Sequence, residues 1–427
     1  MKATLKYMPV LAGALALAGW AGVAQAQTTE LNAGGSSAGR NFATDVPLNL
    51  CDAAPLPARY ASANNNLVTW VCNRGSAPVI MRYSATGSSD GVNKLLQPAS
   101  NPASNMNFLD HTLTTGCTGP TLTTRPADGK QYNNTTGCAN TNTISLPVHL
   151  GASDVQGSSF HQTGPIGTTV AALDDSGLNG VSAAIVPFSV FVGKGVVKLD
   201  AAGTAPAGSI DGLSRLQIER LFSGSITDWR QLGYGTVTDA APGALEATSP
   251  VKLCMRNAGS GTKAAFDETL MINATETAVA SATRVFSSSS SGVETCLTDA
   301  NGRRSIGYMD ADAVVKFNVG GTLAGLAYAV RVDGALAYDP SLTDPKRDLK
   351  CGKYAYWAGW RLNRRASGEG AAIDALAQAY VDNASAQATI AIIPTGAYWA
   401  SDEEMFVSKN VDKGPLIFKT GAHPECR

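Results

Sequence analysis

Three times in this chain a run of β-forming residues ends in a short glycine, serine and threonine turn and passes into a helical pattern. The turns are Gly34-Gly35-Ser36-Ser37-Ala38, Gly87-Ser88-Ser89-Asp90-Gly91 and Gly259-Ser260-Gly261-Thr262. The rest of the chain keeps this rhythm. Leu67 to Cys72 and Val79 to Tyr83 read as strands, and Val92, Leu95 and Leu96 then recur at helical spacing. Ala183 to Phe191 reads as a buried strand, Arg215 to Phe222 as an amphipathic helix, and Val251 to Arg256 as an alternating strand. A helix with Phe266, Leu270 and Met271, a short strand from Ser305 to Tyr308 and an alanine-rich helix from Glu369 to Thr389 follow. Strands that alternate with helices imply an α/β fold with mixed, mostly parallel sheets flanked by helices. No internal repeat is visible.

The segment from about 97 to 150 breaks the rhythm with Thr, Asn, Ser, Gly and Pro, and reads as an irregular insertion. Two lysines, Lys2 and Lys6, precede an apolar stretch from Met8 to Val23 and the small residues Ala24-Gln25-Ala26. This reads as a cleavable signal peptide over 1–26 with no lipid-bearing cysteine after it, so the chain is expected in the periplasm or secreted. Eight cysteines then form an even set in an oxidising compartment. Their order suggests nearest-neighbour bridges: Cys51 with Cys72, Cys117 with Cys138, Cys254 with Cys296, Cys351 with Cys426. The four histidines, His111, His149, His161 and His423, fall at no metal-ligand spacing, and no cofactor is implied. A net charge of −1 lacks the basic footprint of nucleic-acid binders, so any anion site must be local.

The glycine and serine turns suit anions. Free N–H groups of a helix N-terminus point outward, the helix dipole adds positive charge, and hydroxyls add donors without bulk. The bland alternative is that each serine is only an N-cap. Arg256 ends its strand three residues before Gly259, and its planar fork suits a tetrahedral oxyanion. Asp154, in Gly151-Ala152-Ser153-Asp154, is an ordinary turn residue unless it faces an anion. There a carboxylate accepts a proton only from a ligand that carries one, as hydrogen phosphate does and sulfate does not.

Taken in order, Gly35-Ser36-Ser37, Gly87-Ser88-Ser89, Gly151 to Asp154, the block from Ile218 to Trp229, Arg256 to Thr262 and Ser305 to Tyr308 resemble the periplasmic phosphate-binding proteins of ABC transporters. The likeness covers scattered blocks between about 31 and 313. It implies a two-lobed periplasmic-binding-protein type II fold that closes over its ligand about a hinge of crossing strands, near Ala184 to Phe191 and Ser305 to Asp310. Lobe I would comprise 27–187 and 309–427, and lobe II 188–308. The resemblance implies that Ser37, Ala38 and Ser88 bind ligand, that Asp154 accepts its proton, and that Arg256, Ser260, Gly261 and Thr262 clamp it from the other lobe. The implied partners are inorganic phosphate or a related oxyanion and an ABC transporter membrane complex, with the protein acting as a monomer and not as an enzyme. Two departures stand out: Ala38 replaces a common aromatic residue, and Ala258 stands where an acid commonly orients the arginine.

Gly87 to Gly91 fits the G-x-S-x-G pattern of a serine hydrolase with Ser89 as nucleophile and His161 or His423 as base. Gly259 to Lys263 resembles a nucleotide loop, but its lysine follows the threonine. A phosphatase using Asp154 as base lacks a metal cluster. An extracellular structural or adhesive protein of the same fold is the remaining class. The aromatic residues from Tyr354 to Trp360 and the pair Tyr398-Trp399 read as core packing rather than a carbohydrate platform.

Overall fold

The protein is described here by a computed structural model covering residues 27–160, 170–237, 243–272, 274–276, 281–299, 302–419 and 424–426. The signal-peptide reading of 1–26, and His161 and His423, lie outside the described residues.

The first part of the chain builds β1 (Thr29–Gly35), α1 (Arg40–Asp45), α2 (Pro47–Leu50), β2 (Ala58–Ser62), β3 (Leu67–Arg74), β4 (Ala77–Ser84) and α3 (Ser88–Leu95). The polar segment is not irregular. It holds β5 (Asn105–Leu109), β6 (Thr118–Thr124), β7 (Gln131–Cys138) and β8 (Thr143–Pro147) before β9 (Leu150–Ser153). β5 pairs with β8, and β7 pairs with β6 and, in parallel, with β2. Its strands escape a pattern reading because β6 and β7 expose mostly Thr, Asn and Gln, which carry no apolar period. Met106, Phe108 and Val148 bury an apolar face here, against Leu95 of α3.

β10 (Leu178–Gly193) organises the molecule. The second part adds β11 (Val196–Leu199), β12 (Pro206–Ser209), β13 (Gly212–Leu213), α4 (Arg215–Phe222), β14 (Tyr234–Thr236), β15 (Lys252–Arg256), α5 (Gly261–Thr269), β16 (Arg284–Ser287), α6 (Ser290–Thr298), β17 (Ser305–Asp310), β18 (Ala327–Val332) and β19 (Trp357–Arg365). From Leu178 to Pro187, β10 pairs with β19; from Phe188 to Gly193 it pairs with β17 and β18. One strand thus joins two halves of one mixed sheet, in the order β16-β15-β17-β10-β19-β9-β1-β4-β3-β2-β7-β6. β1 lies parallel to β4 and β9 in one half, and β15 parallel to β16 and β17 in the other. The fold is α/β and flanked by helices, as the alternation implied, and two-lobed, as the resemblance implied. The sheet is mixed rather than mostly parallel, because β10 runs antiparallel to β17, β18 and β19, and β3 to both β2 and β4. β18 stays with the second half of β10, and the chain rejoins the first half only at β19. The expected alanine-rich helix divides at Ala386, whose extended backbone separates Ala371–Ser385 from Gln387–Ile392.

Two glycines explain how α3 reaches the strand ends. A Cβ on Gly91 would lie 2.6 Å from the Ala152 carbonyl, and one on Gly151 would lie 2.3 Å from the Gly91 carbonyl. Only bare backbone allows this contact, which seats the first turn of α3 on the ends of β1 and β9. The four disulfides are Cys51–Cys72, Cys117–Cys138, Cys254–Cys296 and Cys351–Cys426, the nearest-neighbour set. Trp360 and Trp399 are buried and pack on Phe42, with ring centroids 5.5 and 4.7 Å away, so this aromatic group is core.

Candidate functional site

In open α/β sheets ligands meet the carboxyl ends of the parallel strands. Both halves of this sheet turn those ends to one place. β1 ends in Ser36-Ser37-Ala38, β4 leads to Ser88 and β9 to Asp154; from the other half β15 ends at Arg256, β16 leads to Ser290, and β17 ends at Asp310. Helices α3, α5 and α6 begin there, and Ser260 and Ser289 cap the latter two by accepting the Lys263 and Gly292 N–H groups.

Arg256 is fully buried at the centre. Its Nη2 donates to the Ser37 hydroxyl at 2.9 Å and the Ser288 carbonyl at 3.2 Å. Its Nη1 donates to the Thr262 hydroxyl at 3.3 Å and the Ser290 hydroxyl at 3.2 Å. Burial holds the guanidinium below its usual range, while Asp154 and Asp310 draw it back up. It stays a cation, because burial cannot bring an arginine near neutral pH.

Asp154 faces it from the first half and is 1% exposed. The Ser36 hydroxyl donates to its Oδ1, and its own N–H donates to the Ser88 hydroxyl at 3.2 Å. Burial raises Asp154 to about 6, against the lowering pull of Ser36, Arg256 and Ser88. At neutral pH it is mostly a carboxylate and an acceptor.

The two halves touch at this point. The Ser89 N–H donates to the Gly259 carbonyl at 3.1 Å. A Cβ on Gly261 would lie 2.3 Å from the Ser88 hydroxyl and 2.7 Å from Asp154 Cβ, so only glycine fits between them. All eight expected residues, Ser37, Ala38, Ser88, Asp154, Arg256, Ser260, Gly261 and Thr262, are buried in this one cluster. Ser89 is buried against Gly259, and the two histidines considered as its partners lie outside the described residues.

Sequence reasoning missed Ser290 and Asp310. The Ser290 hydroxyl receives Arg256 Nη1 and donates to Asp310 Oδ1 at 2.7 Å, so a carboxylate reaches the arginine through a serine although Ala258 is apolar. The available signal was the run Ser287 to Ser291 between a strand and a helix, a fourth turn of the same design without glycine. Ser36 was part of a quoted turn, but its bond to Asp154 was not legible. No group of His, Cys, Asp and Glu among the described residues could hold a metal ion.

Residues 165–348 match the family model of the PBP superfamily domain. No curated protein matches the chain. A structure assigned as a phosphate ABC transporter substrate-binding protein with bound phosphate, from Clostridium perfringens, is similar at 13% identity and a TM-score of 0.51. The alignment covers 87% of this chain and 99% of that one. An ABC-type phosphate transport receptor from Vibrio cholerae is similar at 12% identity and a TM-score of 0.43, over 85% of this chain and 98% of its own. At such identities the first of these likenesses establishes the shared fold.

Proposed function

We propose that this protein captures phosphate or a closely related oxyanion between its two lobes, without chemical change, for delivery to an ABC-type membrane complex. The observation that carries the reading is the buried Arg256 guanidinium, held by Ser37, Thr262 and Ser290 hydroxyls and facing the Asp154 carboxylate. The Ser37 and Thr262 hydroxyls can turn their protons toward an anion oxygen, Ser290 keeps its own on Asp310, and the N-termini of three helices add backbone N–H groups. Asp154 then selects. A protonated oxyanion donates to it, whereas sulfate would set two acceptors against each other in a buried site, a mismatch that sites of this kind punish by about four orders of magnitude. Ser37, Ala38, Ser88 and Asp154 act from lobe I; Arg256, Ser260, Gly261 and Thr262 act from lobe II.

β10 is the first crossing strand on this reading, and lobe II runs from about 188 through β18 rather than ending at 308, because β18 shares the Val190–Gly193 end of β10. The similar Clostridium perfringens protein, solved with phosphate bound, supports the choice of ligand. No described helix is long and apolar enough to cross a membrane. We place the protein in the periplasm or outside the cell, as a monomer. Calorimetric titration with phosphate, sulfate and a phosphate monoester tests the function. Tight binding of phosphate alone is expected, and equal heats for phosphate and sulfate would sink the reading.

A further inference from the structure

Behind Arg256 lies a second pair of acids that the proposed capture does not use. Asp310 ends β17, and Asp312 follows two residues later; each is 5% exposed. Asp310 is the charged group that most opposes ionisation of Asp312, so a proton on the pair relieves two buried like charges. Asp310 spends Oδ1 on the Ser290 hydroxyl, which in turn receives Arg256. Asp312 Oδ2 accepts from Asn41 Nδ2 at 3.3 Å, and Asn41 belongs to α1, in the opposite half of the molecule. The buried Oδ1 of Asp312 has no hydrogen-bond partner among the described residues.

We propose that Asp310 and Asp312 form a carboxyl pair sharing one proton, in which Asp310 positions Arg256 through Ser290 and Asp312 grips Asn41 across the cleft, so that anion capture takes up a proton at this pair. The inference rests on the capture reading, since it needs lobes that close. The charged groups facing the pair are Arg40 from α1, Arg256 from β15 and Asp154 after β9, with Tyr398 beside Asp312. Two arginines therefore meet three carboxyls, and an entering oxyanion adds more negative charge. A second full charge on the pair would be buried without a counterion, so the proton stays. Burial first, and then Asp310, push Asp312 well above the usual carboxylate range.

The direction of the linkage follows. An Asp312 that is wetted when the lobes part binds its proton more weakly than one sealed against Asp310. Closure takes up a proton, and affinity falls by as much as about tenfold per pH unit as pH rises through the window above the ordinary carboxylate range.

Titration calorimetry with inorganic phosphate at about pH 8, where an ordinary carboxyl is ionised, in two buffers of different ionisation heat, counts the protons taken up. Asp312→Asn should bind phosphate while taking up as much as one proton fewer than the wild type, with a shallower fall of affinity with pH. Asp310→Asn should show the same lost uptake together with several-fold weaker binding, because Ser290 then meets a neutral amide oxygen in place of a carboxylate; it serves the test if Asp312→Asn does not fold. Equal uptake in the wild type and both variants would overturn the pair. If the wild type binds no phosphate, the capture reading fails separately, and infrared spectra at the same pH decide the pair. A protonated-carboxyl band lost in Asp312→Asn supports it, and unchanged spectra refute it.

Discussion

Arg256 Nη2 and the Ser37 hydroxyl are 2.9 Å apart although 219 positions separate them in the chain. This bond joins the two halves of the sheet at their strand ends, beside the contact of Gly261 with Asp154. Binding and closure therefore share residues.

Replacing Arg256 tests both roles. Arg256→Lys keeps the charge but loses the fork that reaches Ser37 on one side and Thr262 and Ser290 on the other. Phosphate affinity should fall at least about a hundredfold, the loss of roughly two charge-assisted hydrogen bonds. Ser37→Ala removes one hydroxyl and should cost about tenfold. Calorimetry on both variants checks the order; a lysine variant that binds like the wild type would contradict it.

Gly261→Ala separates closure from folding. Its added methyl collides with Ser88 and Asp154 from the facing half. The variant should keep its melting temperature in the absence of ligand yet lose phosphate binding, with small-angle scattering that no longer contracts when phosphate is added. Retained affinity would show that the halves need not approach this closely.

Asp154→Asn should trade selectivity for stability. Asp154 rises from 3.8 to about 6 on folding, so its folded form favours the proton. The stability it contributes is full below about pH 4 and lost as pH climbs to about 6, a difference of about 3 kcal/mol. An amide has no such loss. Ligand-free Asp154→Asn should exceed the wild type in denaturant midpoint above pH 6 and match it near pH 4, while its preference for phosphate over sulfate collapses.

His149 carries the opposite sign. Its Nδ1 accepts the Asn32 N–H at 3.2 Å, and burial with the Arg365 charge lowers it from 6.5 to about 4. The neutral ring's contribution is full above about pH 6.5 and lost as pH falls to about 4, again about 3 kcal/mol. His149→Asn, which keeps an acceptor, should unfold less steeply across that acid window. An unchanged acid transition by circular dichroism would refute the assignment.

The part of the site legible in the chain was the part written locally. Ser37, Ser88 and Ser260 each stand between a strand pattern and a helix pattern, and such turns must lie at strand ends once the sheet is parallel. The order of the cysteines suggested the bridges, because each cysteine pairs with the next one along the chain. Ser290 and Asp310 were not legible, since nothing near them announces that a serine at the start of α6 will take one guanidinium and pass it to a carboxylate at the end of β17. Strands β6 and β7 were hidden for another reason: both sides of their alternation are mostly polar.

Sequence alone determined the alternating architecture and the chemistry available at three turns, both of which depend on neighbours within one or two elements, and it suggested the disulfide partners without fixing them. Tertiary structure decided which half of β10 each later strand joins, that Asp310 serves Arg256 through Ser290, and that Asp312 meets Asn41 across the cleft. Those contacts depend on strand register and on packing between residues 20 to 271 positions apart, which local pattern does not encode.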